Sequence, residues 1–129
     1  MAAPNLVSPT TITGKTTTTL VTTAATATSI LSNAASSGKV LKINALYVAN
    51  VDGTSGLEVT VNYYPQASLA GTAVPIVSTV SVPADATLVV IDKEAYVYLE
   101  EDRSIGITVG AAGFNSGDIQ VVCSYEEIS

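Results

Sequence analysis

The chain has 129 residues, a formal net charge of −6 and a pI near 4.2, and only 12% of its residues are charged. Its length fits one domain with a hydrophobic core of its own. Because the five basic residues are scattered along an acidic chain, we expect no binding to nucleic acid. No apolar run approaches the roughly 18 residues of a membrane-spanning helix, so we expect no membrane span. A charged share about half the usual value of roughly 25% indicates a surface that packs against neighbouring molecules.

The N-terminal segment contains Pro4 and Pro9, and proline both fixes φ and removes a backbone donor. We therefore predict an extended N-terminal arm over residues 1–9, lying along a neighbour or in solvent, followed by a single β-sandwich domain over residues 10–129. The arm lacks the basic segment and apolar block of a secretory signal. We expect the protein to be made and used without export through a membrane.

Threonine dominates the tract from residue 10 to residue 28, and this β-branched residue favours strands. The run Thr16–Thr19, followed by Leu20 and Val21, predicts one long strand whose two faces hardly differ in polarity, so that its register is weakly specified. It is a candidate edge strand or subunit-contact strand, with a solvated, poorly packed strand as the alternative. A short helical turn is considered for residues 29–35.

Residues 39–51 are predicted to form the most buried strand. One alternating set of residues, from Leu41 and Ile43 to Val51, is apolar throughout, whereas the other set begins polar and turns apolar at Leu46 and Val48. A half-exposed strand keeps its second face polar. We therefore expect the far end of this strand to be covered on both sides, by a loop, by the N-terminal arm or by another subunit.

Six further strands are predicted over residues 57–64, 76–82, 88–91, 96–99, 105–109 and 119–125, separated by turns rich in Gly, Pro and Asp. This makes about eight short strands at the spacing of a sandwich or barrel. The predicted fold is all-β, an antiparallel β-sandwich, with a jelly-roll topology favoured over an immunoglobulin-like one. Near its end the chain places Gly106 and Gly110 on one strand face, and such a bare face indicates close approach by another segment.

The residues that usually carry catalysis are scarce. The chain has no His and a single Cys123, which lies among alternating apolar residues and is read as a small buried hydrophobe rather than a nucleophile. The acidic cluster Glu100-Glu101-Asp102 is read as a solvated turn rather than a calcium site, because its spacing matches no calcium loop. We expect no enzyme activity, no metal site and no cofactor.

Aromatic side chains offer the clearest candidates for recognition. Tyr64, Tyr96 and Tyr98 could form a platform for a sugar or a neighbouring subunit, and Tyr96 and Tyr98 share one strand face. The alternative is that these tyrosines lie at the margin of the core with their hydroxyls in water. The complete candidate interaction surface comprises Pro4, Pro9, Leu46, Val48, Tyr64, Tyr96 and Tyr98.

Several segments, spread from the first strand to the last residue, carry a family resemblance. They are residues 11–16, 33–44 (NAASSGKVLKIN), 48–54 (VANVDGT), 77–93 (VSTVSVPADATLVVIDK), 98–105 (YLEEDRSI) and 124–129 (SYEEIS). The chain resembles the small virion structural proteins of tailed bacteriophages, in particular those of T4-like myoviruses that infect marine cyanobacteria. These motifs have no catalytic meaning.

The resemblance implies a cyanophage particle component present in many copies and made in the host cytoplasm. Within that class we expect a capsid decoration or cement protein on the head surface, assembling as a homo-oligomer, with a trimer as the expected form, and contacting the major capsid protein. The alternatives are a tail, neck or baseplate component, or a receptor-binding or carbohydrate-binding module.

Overall fold

In the computed structural model, which describes residues 4–129, nine strands form two antiparallel sheets packed face to face. The strands are β1 (Ile12–Leu20), β2 (Thr28–Asn33), β3 (Val40–Asn50), β4 (Leu57–Tyr64), β5 (Val74–Val82), β6 (Thr87–Ile91), β7 (Val97–Leu99), β8 (Arg103–Val109) and β9 (Ile119–Ile128). The helical segments in this part of the chain are single three-residue turns, at Ala67–Leu69 and Lys93–Ala95. Neither has the length or the hydropathy to cross a bilayer.

The strand order is that of a jelly roll. The first sheet runs β1-β9-β3-β6, with β7 also paired to β3, and the second runs β2-β8-β4-β5. Most of the strand pairs are those of one long hairpin that turns between β4 and β5. They are β4·β5, β3·β6/β7, β2·β8 and β1·β9. Rolling up this hairpin brings β9 beside β3 and β8 beside β4. The predicted all-β antiparallel sandwich is confirmed, and β2 replaces the helical turn considered for this segment.

A β-bulge in β3 changes which alternating set of side chains faces the core. The register against β9 shifts between Ile43 and Ala45. Before the shift Ile43 points into the sandwich, and after it Leu46 and Val48 do so, both fully buried. The prediction that Leu46 and Val48 belong to an interaction surface is therefore wrong. The opposite sheet covers them, because a shift of one residue exchanges the two faces of a strand.

Part of the outer face of the second sheet, over β8, is covered by the chain itself. The segment between β4 and β5 folds back over β8, where Leu69 Cδ2 would lie 2.8 Å from a Cβ added at Gly106. Ser104 Oγ receives the backbone N–H of Leu69 at 2.8 Å and donates to the carbonyl of Gln66 at 2.7 Å. The close approach predicted from the bare face of this strand is confirmed at Gly106, and the approaching residue is Leu69.

Two buried asparagines tie the loops to the strand ends. Asn50 Nδ2 donates to the carbonyls of Ser55 and Val82, at 2.9 and 3.0 Å. Asn33 Nδ2 donates to the carbonyls of Lys39 and Leu99, at 2.9 and 3.1 Å. Each amide thus donates to two backbone carbonyls, which meets the need of a buried polar group for hydrogen-bond partners.

We expect Gly106→Ala to lower the free energy of unfolding by about 1–3 kcal/mol, because the new methyl group overlaps Leu69 and lies 3.0 Å from the Thr28 carbonyl. Gly110→Ala is the matched control, since a Cβ there has its nearest contact at 3.7 Å. Urea unfolding measures both variants. The double variant Gly106→Ala/Leu69→Ala should recover part of the overlap cost, and equal stability of the two glycine variants would contradict this packing.

Candidate interaction surface

Within residues 4–129, half of the outer face of the first sheet is exposed to solvent, and apolar side chains cross this half in register. Tyr47 on β3 pairs with Val122 on β9 and with Val89 on β6. Thr18 on β1 extends this row from Val122. A second row runs beside it from Leu20. We call this surface the open face, and it comprises Thr18, Leu20, Tyr47, Ala49, Thr87, Val89, Gln120 and Val122.

The open face carries no charged residue among its eight members, and five of them are apolar or aromatic, whereas Thr18, Thr87 and Gln120 are polar. Leu20 is 53% exposed, Val89 52%, Tyr47 40% and Val122 38%. Single exposed apolar residues are ordinary on protein surfaces, but a contiguous apolar patch typically marks a contact with another molecule. These residues make the open face the best candidate interaction surface in residues 4–129.

Polar and aromatic side chains occupy the other half of the same sheet surface. Lys42 on β3 pairs in register with Glu126 on β9 and with Tyr98 on β7. The Lys42 ammonium lies 4.4 Å from the centroid of the Tyr96 ring, a cation–π contact worth about 0.5–1 kcal/mol at an exposed site. Asn44 Nδ2 donates to Glu126 Oε1 at 2.8 Å. This half is thus organised by specific polar contacts.

The three candidate tyrosines do not form one platform. Tyr96 and Tyr98 are exposed neighbours whose rings meet edge to face, with centroids 5.4 Å apart and an interplanar angle of 81°. Tyr64 ends β4 in the second sheet and is only 8% exposed. Including Tyr64 in the recognition surface was wrong, because the sandwich places it on the other sheet. The pair Tyr96 and Tyr98 stays a candidate.

The predicted N-terminal arm lies partly outside the described residues, which begin at Pro4. Pro4 and Pro9 are partly exposed and flank a turn in which the Ser8 N–H donates to the Asn5 carbonyl at 3.1 Å. The chain then joins the sandwich where the N–H groups of residues 10 and 11 both reach the Ser129 carbonyl. The described part of the arm therefore bends at residues 5–8, and its role in contacts stays a prediction.

Three charged side chains hold β1 against its neighbours. Glu127 on β9 forms ion pairs with Lys15 on β1 and with Lys39 just before β3, both at 2.8 Å. The hydrogen bond from Lys15, followed by that from Lys39, lowers the pKa of Glu127, and the same partner raises the pKa of Lys15. One carboxylate thus neutralises the single charge of β1.

The described residues contain no assembled chemical site. No three His, Cys, Asp or Glu side chains converge within residues 4–129. In the acidic cluster, Asp102 accepts the Ala67 N–H at 2.9 Å and Glu101 accepts the Gly38 N–H at 3.3 Å, so both carboxylates hold loops. Two surface depressions, of about 150 and 240 Å³, are smaller than the roughly 300–1,000 Å³ of pockets for small ligands.

Cys123 lies in the core, fully buried, and burial raises the pKa of its thiol to about 12. Since the thiolate is the reactive form, this cysteine is inert in the folded protein. Its predicted role as a small buried hydrophobe agrees with this position.

The sequence analysis included Thr18 and Leu20 in a candidate subunit-contact strand but missed the other open-face residues, although some of these leave a signal. Val122 interrupts the alternation of β9 between Val121 and Cys123, and Val89 lies within the apolar run of β6. In an antiparallel sheet with one solvated face, such an out-of-phase apolar residue lies on the outside. Tyr47 left no such signal, because only the bulge places it outside.

Comparison with known proteins gives the fold and no family. No protein-family model and no curated protein matches the chain. A chain from Bacillus endospore appendages, which are disulfide-linked pili, superimposes with a TM-score of 0.50 at 20% identity, over 92% of this chain and 88% of that chain. A chain of infectious bursal disease virus, Gx strain, aligns with a TM-score of 0.45 at 14% identity, over 94% of this chain and 33% of that chain. The pilus chain shows a shared sandwich fold.

We expect Glu127→Gln to lower stability at neutral pH by less than about 1 kcal/mol, as for other ion pairs near a surface. Because the folded state lowers the pKa of Glu127, this stabilisation is present above the ordinary glutamate value of about 4.3 and is lost as pH falls through the lowered folded value. Urea unfolding at a series of pH values measures it, and wild type and variant should converge at about pH 2.

The matched control is Glu94→Gln, at an exposed position outside the ion pairs found in residues 4–129. It should differ little from wild type throughout. A stability difference for Glu127→Gln that stays constant with pH would contradict the role assigned to the two lysines.

Proposed function

We propose that the chain is a non-enzymatic structural protein of a phage virion, and specifically a decoration protein that binds the outer surface of the capsid and holds neighbouring capsid subunits together. The observation that carries this proposal is the open face, an uncharged and mainly apolar surface that crosses four strands. Burial of such a surface stabilises association by about 25 cal/mol per Å² of apolar area. Its partner is the major capsid protein.

The resemblance in sequence to cyanophage virion proteins supports the phage assignment, and the fold supports a role as a repeated building block. A pilus subunit of similar fold assembles into disulfide-linked fibres. This chain cannot form such intermolecular disulfides in its folded form, because its single cysteine, Cys123, is fully buried. In our proposal the contacts are therefore non-covalent, and self-association adds to the binding of the shell.

In this mechanism the open face and the N-terminal arm have different roles. The open face buries against the shell, and the N-terminal arm, with Pro4 and Pro9, runs along the lattice towards the adjacent capsid subunit. The arm loses conformational entropy when it docks. The open face supplies the binding energy that offsets this loss.

Placing a charge on the open face should weaken docking to the capsid. Capsids of a phage that encodes this sequence, freed of the protein, are mixed with wild type or with Val89→Lys or Val122→Lys, and binding is measured by co-sedimentation. A buried lysine without a partner costs several kcal/mol, so we expect at least about tenfold weaker binding. Val74→Lys is the matched control, since Val74 is 60% exposed on β5 of the other sheet.

Equal binding of all variants would show that the open face is not the docking surface. Gold labelling of intact particles then separates locations: label over the shell supports decoration, and label confined to the tail overturns it in favour of a tail, neck or baseplate component.

A second candidate function, a receptor-binding or carbohydrate-binding module, is favoured by the exposed pair Tyr96 and Tyr98 beside Lys42. Aromatic rings that are free on one face can stack on sugars. If this function holds, a glycan array gives a signal that Tyr98→Ala abolishes, while Tyr47→Ala leaves it unchanged. An array without signal would count against this candidate.

A further inference from the structure

In the described part of the chain the two sheets have four edges. At three of these edges, the pairing of the strand is interrupted by a proline, a turn or a register shift. On β5, Pro75 lacks a donor, Thr79 has a φ of +51°, and the register against β4 shifts twice. β2 has six residues and a register shift. The remaining edge of the first sheet is split into β6 and β7 by the turn Lys93–Ala95. Such interruptions keep an edge from pairing with a strand of another molecule.

The fourth edge, β1, has no such interruption. It pairs with β9 over nine consecutive residues without a register shift, and it contains no proline. The flanking bonds fix its pattern: Thr11 exchanges both backbone hydrogen bonds with Ser129, and the Val21 N–H donates to the Ile119 carbonyl. Odd-numbered residues therefore bond to β9, and even-numbered residues turn their N–H and C=O groups outwards.

The outward-facing set comprises Ile12, Gly14, Thr16, Thr18 and Leu20. No backbone hydrogen bond within residues 4–129 reaches these groups from the outer side. An unbroken row of free donors and acceptors on a long strand is a template for another strand.

We propose that β1 pairs antiparallel with β1 of a second copy, about a two-fold axis through Thr16, so that the two first sheets become one continuous sheet. This inference rests on the self-association in the proposed function and names its surface. A two-fold contact uses the same patch on both copies, so the strand must complement itself.

The sequence of β1 meets that requirement in one register. Thr16 faces Thr16 of the second copy, Gly14 faces Thr18, and Ile12 faces Leu20, each as a pair that exchanges backbone hydrogen bonds. Ile12 and Leu20 are both exposed in the single chain, and the pairing brings each against the other. Thr–Thr and apolar cross-strand pairs are both favourable.

Lys15 is the one residue of β1 that could oppose pairing, because lysines on edge strands commonly do so. Here its ammonium is drawn onto the neighbouring strand by Glu127, at 2.8 Å. In the register through Thr16, Lys15 faces Thr17 of the second copy. A register shifted to place Lys15 opposite itself sets like charges against each other, which selects against that alternative.

The expected assembly is thus a dimer rather than the trimer suggested at the level of sequence. Light scattering of the purified full chain should give twice the 13.1 kDa chain mass. Thr16→Pro removes only an outward N–H, so it leaves the bonds to β9 intact and deletes both central bonds of the dimer. We expect its dissociation constant to rise at least about tenfold, whereas Thr16→Val keeps the donor and should dimerise as wild type.

A second measurement tests the register and does not depend on the folding of the proline variant. Thr16→Cys places two thiols beside the axis, where dibromobimane joins them as each thiolate displaces one bromide. Thr18→Cys is the matched control, because its two thiols lie about 14 Å apart in the same register. Cys123 is buried and adds no background.

A dimer that Thr16→Pro dissociates, with cross-linking at position 16 and none at 18, supports the pairing. An oligomer that survives Thr16→Pro and is not linked at position 16 overturns the β1 contact and leaves self-association standing. Equal linking at positions 16 and 18 overturns the register. A monomer at all concentrations overturns the inference entirely, while the capsid-binding assay decides the proposed function on its own.

Discussion

The pairing of β3 with β9 holds the first sheet together, and the bulge within that pairing decides which of its residues reach solvent. β3 contacts β6, β7 and β9 at once, so a shift of one residue in β3 resets the surface shared by four strands. With the bulge, Leu46 and Val48 complete the core and Tyr47 joins the open face. Without it, Leu46 and Val48 would lie outside and the core would lose two of its largest fully buried side chains.

The two sheets differ in how the apolar part of the outer face is shielded from water. Each has an inner face in the core and an outer face that requires polar residues or a cover. Over β8, the outer face of the second sheet is covered by Leu69, which packs against Gly106. The open face of the first sheet is exposed in residues 4–129, and in the proposed function the capsid shell supplies its cover.

Much of the sandwich could be predicted from the sequence, because it depends on local alternation and on turn residues. Apolar and polar residues alternate in the strand at residues 57–64, and Gly106 correctly predicted the close approach of another segment. The bulge was not predicted, because the alternating apolar set from Leu41 to Val51 continues past it without a break. The predicted interaction surface was therefore wrong in part, because Leu46 and Val48 lie in the core and Tyr47 lies outside. The sequence also could not separate Tyr64 from Tyr96, since that requires knowing which strands belong to which sheet. β2 was missed for a related reason, as its short Ser-rich sequence becomes a strand through pairing with β8.

The N-terminal arm gains a geometric role from the proposed β1 pair. The arm leads directly into β1, and the two strands of the pair run in opposite directions. The two arms therefore leave the dimer at opposite ends of the paired strands, separated by the length of nine residues, about 30 Å. Two open faces on one continuous sheet, with an arm at each end, would contact separate subunits of a lattice at the same time. Linked contacts of this kind raise the overall affinity without any additional contact per chain, provided that the spacing of the sites matches. A chain with a small apolar patch can in this way hold a shell that a single copy would bind weakly.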